Sequence, residues 1–132
     1  MAARILIADD NPVMRHCVGR LVCTHVDWEV CGEAENGEQA VRLAKELDPD
    51  ILVLDFRMPR MNGLEAARAI AEVSPRTAIL LCTISLSPQL IDLARALGIA
   101  GAIGKEDLNQ MSACIEALLK GEPFFFYNHR LL

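Results

Sequence analysis

Asp50-Ile-Leu-Val-Leu-Asp-Phe-Arg-Met-Pro-Arg-Met-Asn-Gly63 is the stretch from which the rest of the chain can be ordered. Ile51 to Leu54 is an unbroken apolar run, the pattern of a strand buried on both faces of a parallel sheet; a half-exposed strand would alternate. Asp55 follows directly, and the loop to Gly63 leads into a helix striped by Leu64, Ala67 and Ile70 that stops before Pro75.

The same unit repeats outward in both directions. Upstream, Arg4 to Ala8 is a short strand ending in Asp9 and Asp10; Asn11 offers a helix N-cap and Pro12 a first helical position, with Met14, Val18, Leu21 and Val22 on one face. A second strand runs from Glu29 to Glu33, broken by Asn36-Gly37, and Ala40, Val41, Ala44 and Leu47 stripe a second helix ended by Pro49. Downstream, Thr77 to Cys82 is a strand with Thr83 at its end, and Leu90, Leu93, Ala94 and Leu97 mark a fourth helix. Ala100 to Gly104 is a fifth strand, with Leu108, Met111, Ile115, Leu118 and Leu119 on a fifth helix. Five strands alternating with five helices predict a doubly wound α/β sheet, because parallel neighbours need crossover connections. The flavodoxin-like order 2-1-3-4-5 is expected, with ligands beyond the carboxyl ends of the strands at the switch between the first and third.

Composition closes several other routes. The 132 residues fit one domain, and a net charge of -5 offers no basic footprint for nucleic acid, so direct DNA binding is not expected. Five cysteines, at 17, 23, 31, 82 and 114, show neither paired nor zinc-type spacing and are read as buried free thiols of a reducing cytosol. No signal segment or membrane-length apolar run is seen, so a cytoplasmic location is expected.

The informative polar residues all fall at one end of the strands. Asp9 and Asp10 end the first strand, Asp55 the third, Thr83 the fourth and Lys105 the fifth. Each has an ordinary use, as a cap or a surface charge, but one edge collecting all of them is hard to reach by coincidence. Three neighbouring carboxylates repel unless a cation intervenes, and oxygen ligands favour magnesium, with manganese possible. With a metal to neutralise an incoming phosphate, Asp55 could attack phosphorus as a carboxylate nucleophile. Thr83 could donate a hydrogen bond to a phosphoryl oxygen, and Lys105 could bring a positive charge to it.

Ile-Ala-Asp9-Asp10-Asn-Pro, Leu-Val-Leu-Asp55-Phe-Arg-Met-Pro-Arg-Met-Asn-Gly, Thr83 and Gly-Ala-Ile-Gly-Lys105 resemble the receiver domains of two-component response regulators. Gly32-Glu-Ala-Glu-Asn-Gly37 and Lys120-Gly-Glu-Pro123 are similar to the NarL/LuxR-type subgroup. The resemblance runs from about Ile5 to Pro123, giving a receiver domain over 1–123 and a tail, or the start of a linker, over 124–132. It implies a signalling phosphoacceptor and not an enzyme in the ordinary sense. Asp55 would take a phosphoryl group from a histidine kinase, a phosphotransfer protein or a small donor such as acetyl phosphate. It further implies direct metal ligation by Asp10, Asp55 and the backbone carbonyl of Arg57, with Asp9 acting through water. Thr83 and Lys105 would move onto the phosphoryl group, switching the face made by helix four, strand five and helix five, where homodimers or output partners bind.

Three positions depart from the family pattern. Ala102 stands where an aromatic switch residue is frequent, so another form of coupling is required. Ile84 stands where a small residue is common, implying narrower access to the site. Glu106 follows Lys105 where many members have proline after a cis bond, and a cis bond without proline would cost about 3 to 4 kcal/mol. Receivers of this subgroup usually precede a DNA-binding helix-turn-helix domain; the chain ends at Leu132, as a stand-alone receiver or a piece cut at a linker. The apolar tail Phe124 to Tyr127 is expected to lie beside the fifth helix, with a dimer or partner surface as the alternative. A degenerate receiver that binds partners without phosphorylation is the competing function. A dehalogenase-type phosphatase would want Asp-x-Asp, and a nucleotide-binding fold would want a glycine-rich loop after the first strand.

Overall fold

The structure, a computed structural model, describes residues 2–132. Five parallel strands form its centre: β1 (Ala3–Ala8), β2 (Trp28–Ala34), β3 (Ile51–Leu54), β4 (Ala78–Thr83) and β5 (Gly101–Gly104). They lie in the order β2-β1-β3-β4-β5, as expected from the alternation. The helices are α1 (Pro12–Cys23), α2 (Gly37–Leu47), α3 (Gly63–Val73), α4 (Pro88–Ala96) and α5 (Met111–Leu119), the last preceded by a 3₁₀ segment over Lys105–Gln110.

Period-two alternation along the strands divides the core into two layers. Leu6, Ala8, Leu52, Leu54 and Leu81 face α2, α3 and α4 through Ala40, Ala44, Ala67, Ile70, Ile91 and Ala94. Ile5, Ile7, Val53, Leu80 and Ile103 face α1 and α5 through Val18, Val22, Met111 and Ile115. Ile51 to Leu54 are all buried, because the central strand has a helical layer on each side. Helix starts follow local chemistry: the Asn11 side chain accepts from the backbone N–H of Val13 and Met14, and Asn62 with Glu65 forms a capping box on α3.

The tail lies beside α5, as expected, but as strands. Phe124–Tyr127 is a sixth strand, β6, parallel to β5, and Arg130–Leu131 folds back antiparallel as β7. An aromatic run of this kind suits a pleated surface with cover on both sides. Phe125 and Tyr127 join the α4 layer, while Phe124 and Phe126 join the α5 layer. Gly101 makes the pairing close: a Cβ there would stand 2.6 Å from the Phe124 carbonyl oxygen.

The cysteines also differ. Cys82 and Cys114 are buried, but Cys17 and Cys23 are exposed and Cys31 is intermediate. The spacing of Cys17 and Cys23 on α1 puts both away from the Val18 and Val22 stripe. Burial pushes the Cys82 thiol up to about 12, which keeps it a protonated, inert core residue.

Candidate functional site

The carboxyl ends of β1 and β3 are tied together before any side chain is considered. The Asp55 N–H donates to the Ala8 carbonyl at 3.0 Å, and the Asp9 N–H donates to Ala34 at 3.0 Å. These ladder bonds place two aspartates side by side at the switch point of the sheet. The β1 exit is braced further. Asp9 Oδ1 accepts from the Asn11 N–H at 2.9 Å, and the Arg15 guanidinium donates to the Asp9 carbonyl at 2.7 Å.

Asp9, Asp10 and Asp55 each present a carboxylate oxygen within 4.8 Å of the others, with Asp9 and Asp55 buried and Asp10 exposed. Lys105 reaches in from the end of β5. Its Nζ lies 2.9 Å from Asp9 Oδ2 and 3.1 Å from Asp55 Oδ2. One ammonium therefore bridges two of the three carboxylates, and the second oxygen of Asp55, Oδ1, is buried with no hydrogen-bond partner among the described residues. A buried carboxylate oxygen with no donor is costly, and a divalent cation bound by oxygen ligands is the group that relieves it. The donor set is hard and all-oxygen, which fits magnesium or manganese and not zinc.

Titration follows from the same geometry. Burial, and then the Asp9 charge, raise the Asp55 carboxyl above the usual carboxylate range, with Lys105 opposing them. Burial works against the Lys105 charge, but its bonds to Asp9 and Asp55 outweigh it and hold the ammonium above its ordinary value. A raised Asp55 means that the fold loses stability as pH rises from the unfolded carboxyl value through the folded one. Asp55→Asn removes that loss. Its melting temperature at pH 7 is expected to exceed that of the parent by about 3 to 5 °C, or roughly 1 kcal/mol, with the gap closing below about pH 4. Thermal denaturation across that range, without divalent metal, is the check; an Asn variant less stable than the parent at pH 7 contradicts the electrostatic account.

Thr83 ends β4 fully buried, and its hydroxyl accepts from the Ser85 N–H at 3.3 Å. The Arg57 guanidinium donates to Ser85 Oγ at 2.7 Å, linking the loops after β3 and β4 across the rim of the site. Sequence does not single out this pair, because an exposed arginine and a half-buried serine in loops 28 residues apart carry no periodic signal. A cavity of about 560 Å³ opens beside Asp10 and is lined by Phe56, Arg57, Met58, Pro59 and Asn62. Ile84 is 72% exposed and does not line this cavity. The Lys105-Glu106 bond is trans, since no cis peptide occurs among the described residues.

A family model described as response regulator receiver domain matches residues 5–116. The chemotaxis protein CheY of Thermotoga maritima is 38% identical over 120 residues, covering 91% of this chain and 98% of that protein. The nitrate/nitrite response regulator protein NarL of Escherichia coli K12 is 39% identical over 104 residues, covering 79% of this chain and 48% of that protein. The chain thus spans nearly the whole of the CheY protein but about half the length of NarL. Among solved structures, a LuxR-family two-component response regulator from Aurantimonas sp. SI85-9A1 superimposes with a TM-score of 0.88 at 32% identity, covering 93% of this chain and 89% of that one. No helix among the described residues is long and apolar enough to cross a membrane.

Proposed function

The chain belongs to the response regulator receiver domain family, and on that premise we propose that it is a magnesium-dependent phosphoacceptor whose acceptor residue is Asp55. The observation that carries this reading is the unpaired Oδ1 of Asp55, buried beside Asp9 and Asp10 with a single lysine opposite. A carboxylate oxygen of Asp55 attacks phosphorus, the donor's P–N bond (phosphohistidine) or P–O bond (acetyl phosphate) breaks, and its electron pair leaves with the donor. The product is an acyl phosphate on Asp55.

Asp10, Asp55 and the backbone carbonyl of Arg57 would hold the metal, with Asp9 acting through water. When bound, the metal supplies charge neutralisation for the phosphoryl oxygens. The chain's own residues do the rest. Lys105 exchanges its contact with Asp55 Oδ2 for a phosphoryl oxygen while keeping Asp9, and Thr83 turns its hydroxyl from the loop toward the same group. A histidine kinase or phosphotransfer protein as donor, and a cytoplasmic site of action, belong to the same proposal. So does a homodimer, with no direct DNA binding by this chain itself.

Following acetyl phosphate consumption at limiting protein tests the reading. One phosphoryl group retained per chain, only with magnesium present, supports it. Rapid multiple turnover of a phosphomonoester such as p-nitrophenyl phosphate, with nothing retained, would point instead to a phosphatase.

A further inference from the structure

Ala102, on β5 three residues before Lys105, brings almost no side-chain volume to the α4 layer. The space beside it is filled from the next strand. Phe125 of β6 is the register partner of Ala102, is 2% exposed, and lies under the Arg95 guanidinium of α4 at 4.1 Å from the ring centroid. Within the face that the family resemblance offers to partners, the β5 edge is thus covered by β6, which touches α4 through Phe125 and Arg95.

That cover reaches the acidic site. The loop after β4 is held at one residue, Ser85, by two groups of the site: Thr83 through the Ser85 N–H and Arg57 through the hydroxyl. Next in the chain, Leu86 lines a cavity of about 280 Å³ whose other walls are Glu106 and Asp107 of the 3₁₀ segment and Tyr127, Asn128 and His129 at the tip of the β6–β7 hairpin. The loop and the hairpin tip therefore share a wall with space beside it for movement. The hairpin's backbone pairing is short. β6 has two register partners on β5, β7 pairs only with β6, and the turn sets Asn128 at φ 53° and His129 at φ 60°, left-handed positions that a histidine takes at a cost.

We infer that the segment Phe124–Leu132 reads the state of Asp55: its docking on β5 and α4 is coupled, through the loop Ile84–Ser87, to whether Thr83 holds Ser85 or turns to a phosphoryl group. This rests on the phosphoacceptor reading. When Thr83 releases the Ser85 N–H, Leu86 shifts in the shared wall, the hairpin loosens, and Phe125 and the β5 edge become available for pairing.

The experiment is hydrogen exchange followed by mass spectrometry on the whole chain, with adduct occupancy read on the same samples. One arm compares protein with and without acetyl phosphate and magnesium; the other compares Leu86→Ala with the parent, with no donor. In both, amides of Phe126–Leu132 are expected to exchange roughly fivefold faster or more, while those of β1 and β3 are unchanged. The Leu86→Ala arm stands without phosphorylation, so absence of an adduct counts against the phosphoacceptor reading and leaves that arm to judge the coupling. Unchanged hairpin exchange in Leu86→Ala, or in protein carrying the adduct, overturns the inference.

Discussion

Lys105→Ala is expected to lower the stability of the protein at pH 7 by about 3 kcal/mol, a fall in melting temperature of roughly 10 °C. Among the described residues the Lys105 ammonium is the one cation within 4 Å of the Asp9 and Asp55 carboxylates, whose side chains are 8% and 5% exposed, and removing it leaves two buried like charges without an ion pair. Two conditions should restore the loss. Acid should do so by protonating Asp55, whose carboxyl already sits above the usual range through burial and the Asp9 charge. Millimolar magnesium should do so by taking the place of the missing charge. In the parent, the raised Lys105 ammonium makes the opposite limit visible: its contribution is complete below the unfolded lysine value and is lost as alkaline pH passes through the folded one. Lys120→Ala, an exposed lysine, serves as the control and should be neutral within about 0.5 kcal/mol. A Lys105→Ala protein as stable as the parent at pH 7 would mean that the carboxylates are not mutually strained.

Gly63→Ala should be nearly as damaging, for a steric reason. The Gly63 N–H donates to the Phe56 carbonyl at 2.8 Å, which draws the start of α3 against the end of β3. A Cβ at this position would overlap the Asp55 carbonyl oxygen and stand 2.8 Å from Phe56 Cα. All of these obstacles are backbone, so no rotamer change relieves them. Either α3 retreats or Asp55 moves. A stability loss of about 2 kcal/mol is expected from overpacking, and phosphoryl uptake should slow about tenfold or more because small misplacements of reacting groups are costly. Gly19→Ala, where the nearest atom would be Ile7 Cδ1 at 3.9 Å inside α1, should leave both quantities unchanged or gain slightly in stability. Denaturant unfolding and the rate of adduct formation, measured on both variants, separate the outcomes.

The sheet order and the acidic edge were legible in the sequence because both have periodic or positional signals. Ile51 to Leu54 announced a strand covered on both sides, and Asp9, Asp55, Thr83 and Lys105 each fell at a strand end, where the doubly wound topology gathers them. The tail was less legible. Phe124 to Tyr127 is apolar at every position, which fits packing on a helix as well as pairing at a sheet edge. The deciding feature was Gly101, a residue on another strand that lets β6 approach. The Arg57–Ser85 bond and the cavity between Leu86 and the hairpin tip were hidden for a related reason: they depend on where two loops meet. The exposure of Ile84 belongs to the same class, since its direction is set by the turn that Thr83 holds.

Intact-protein mass spectrometry of the parent and Asp55→Asn, after incubation with phosphoramidate and magnesium, tests the central claim most directly. A single phosphoryl adduct is expected on the parent, absent without magnesium and absent from the folded Asn variant. An adduct of equal yield on Asp55→Asn, or none on the folded parent with either phosphoramidate or acetyl phosphate, would contradict it.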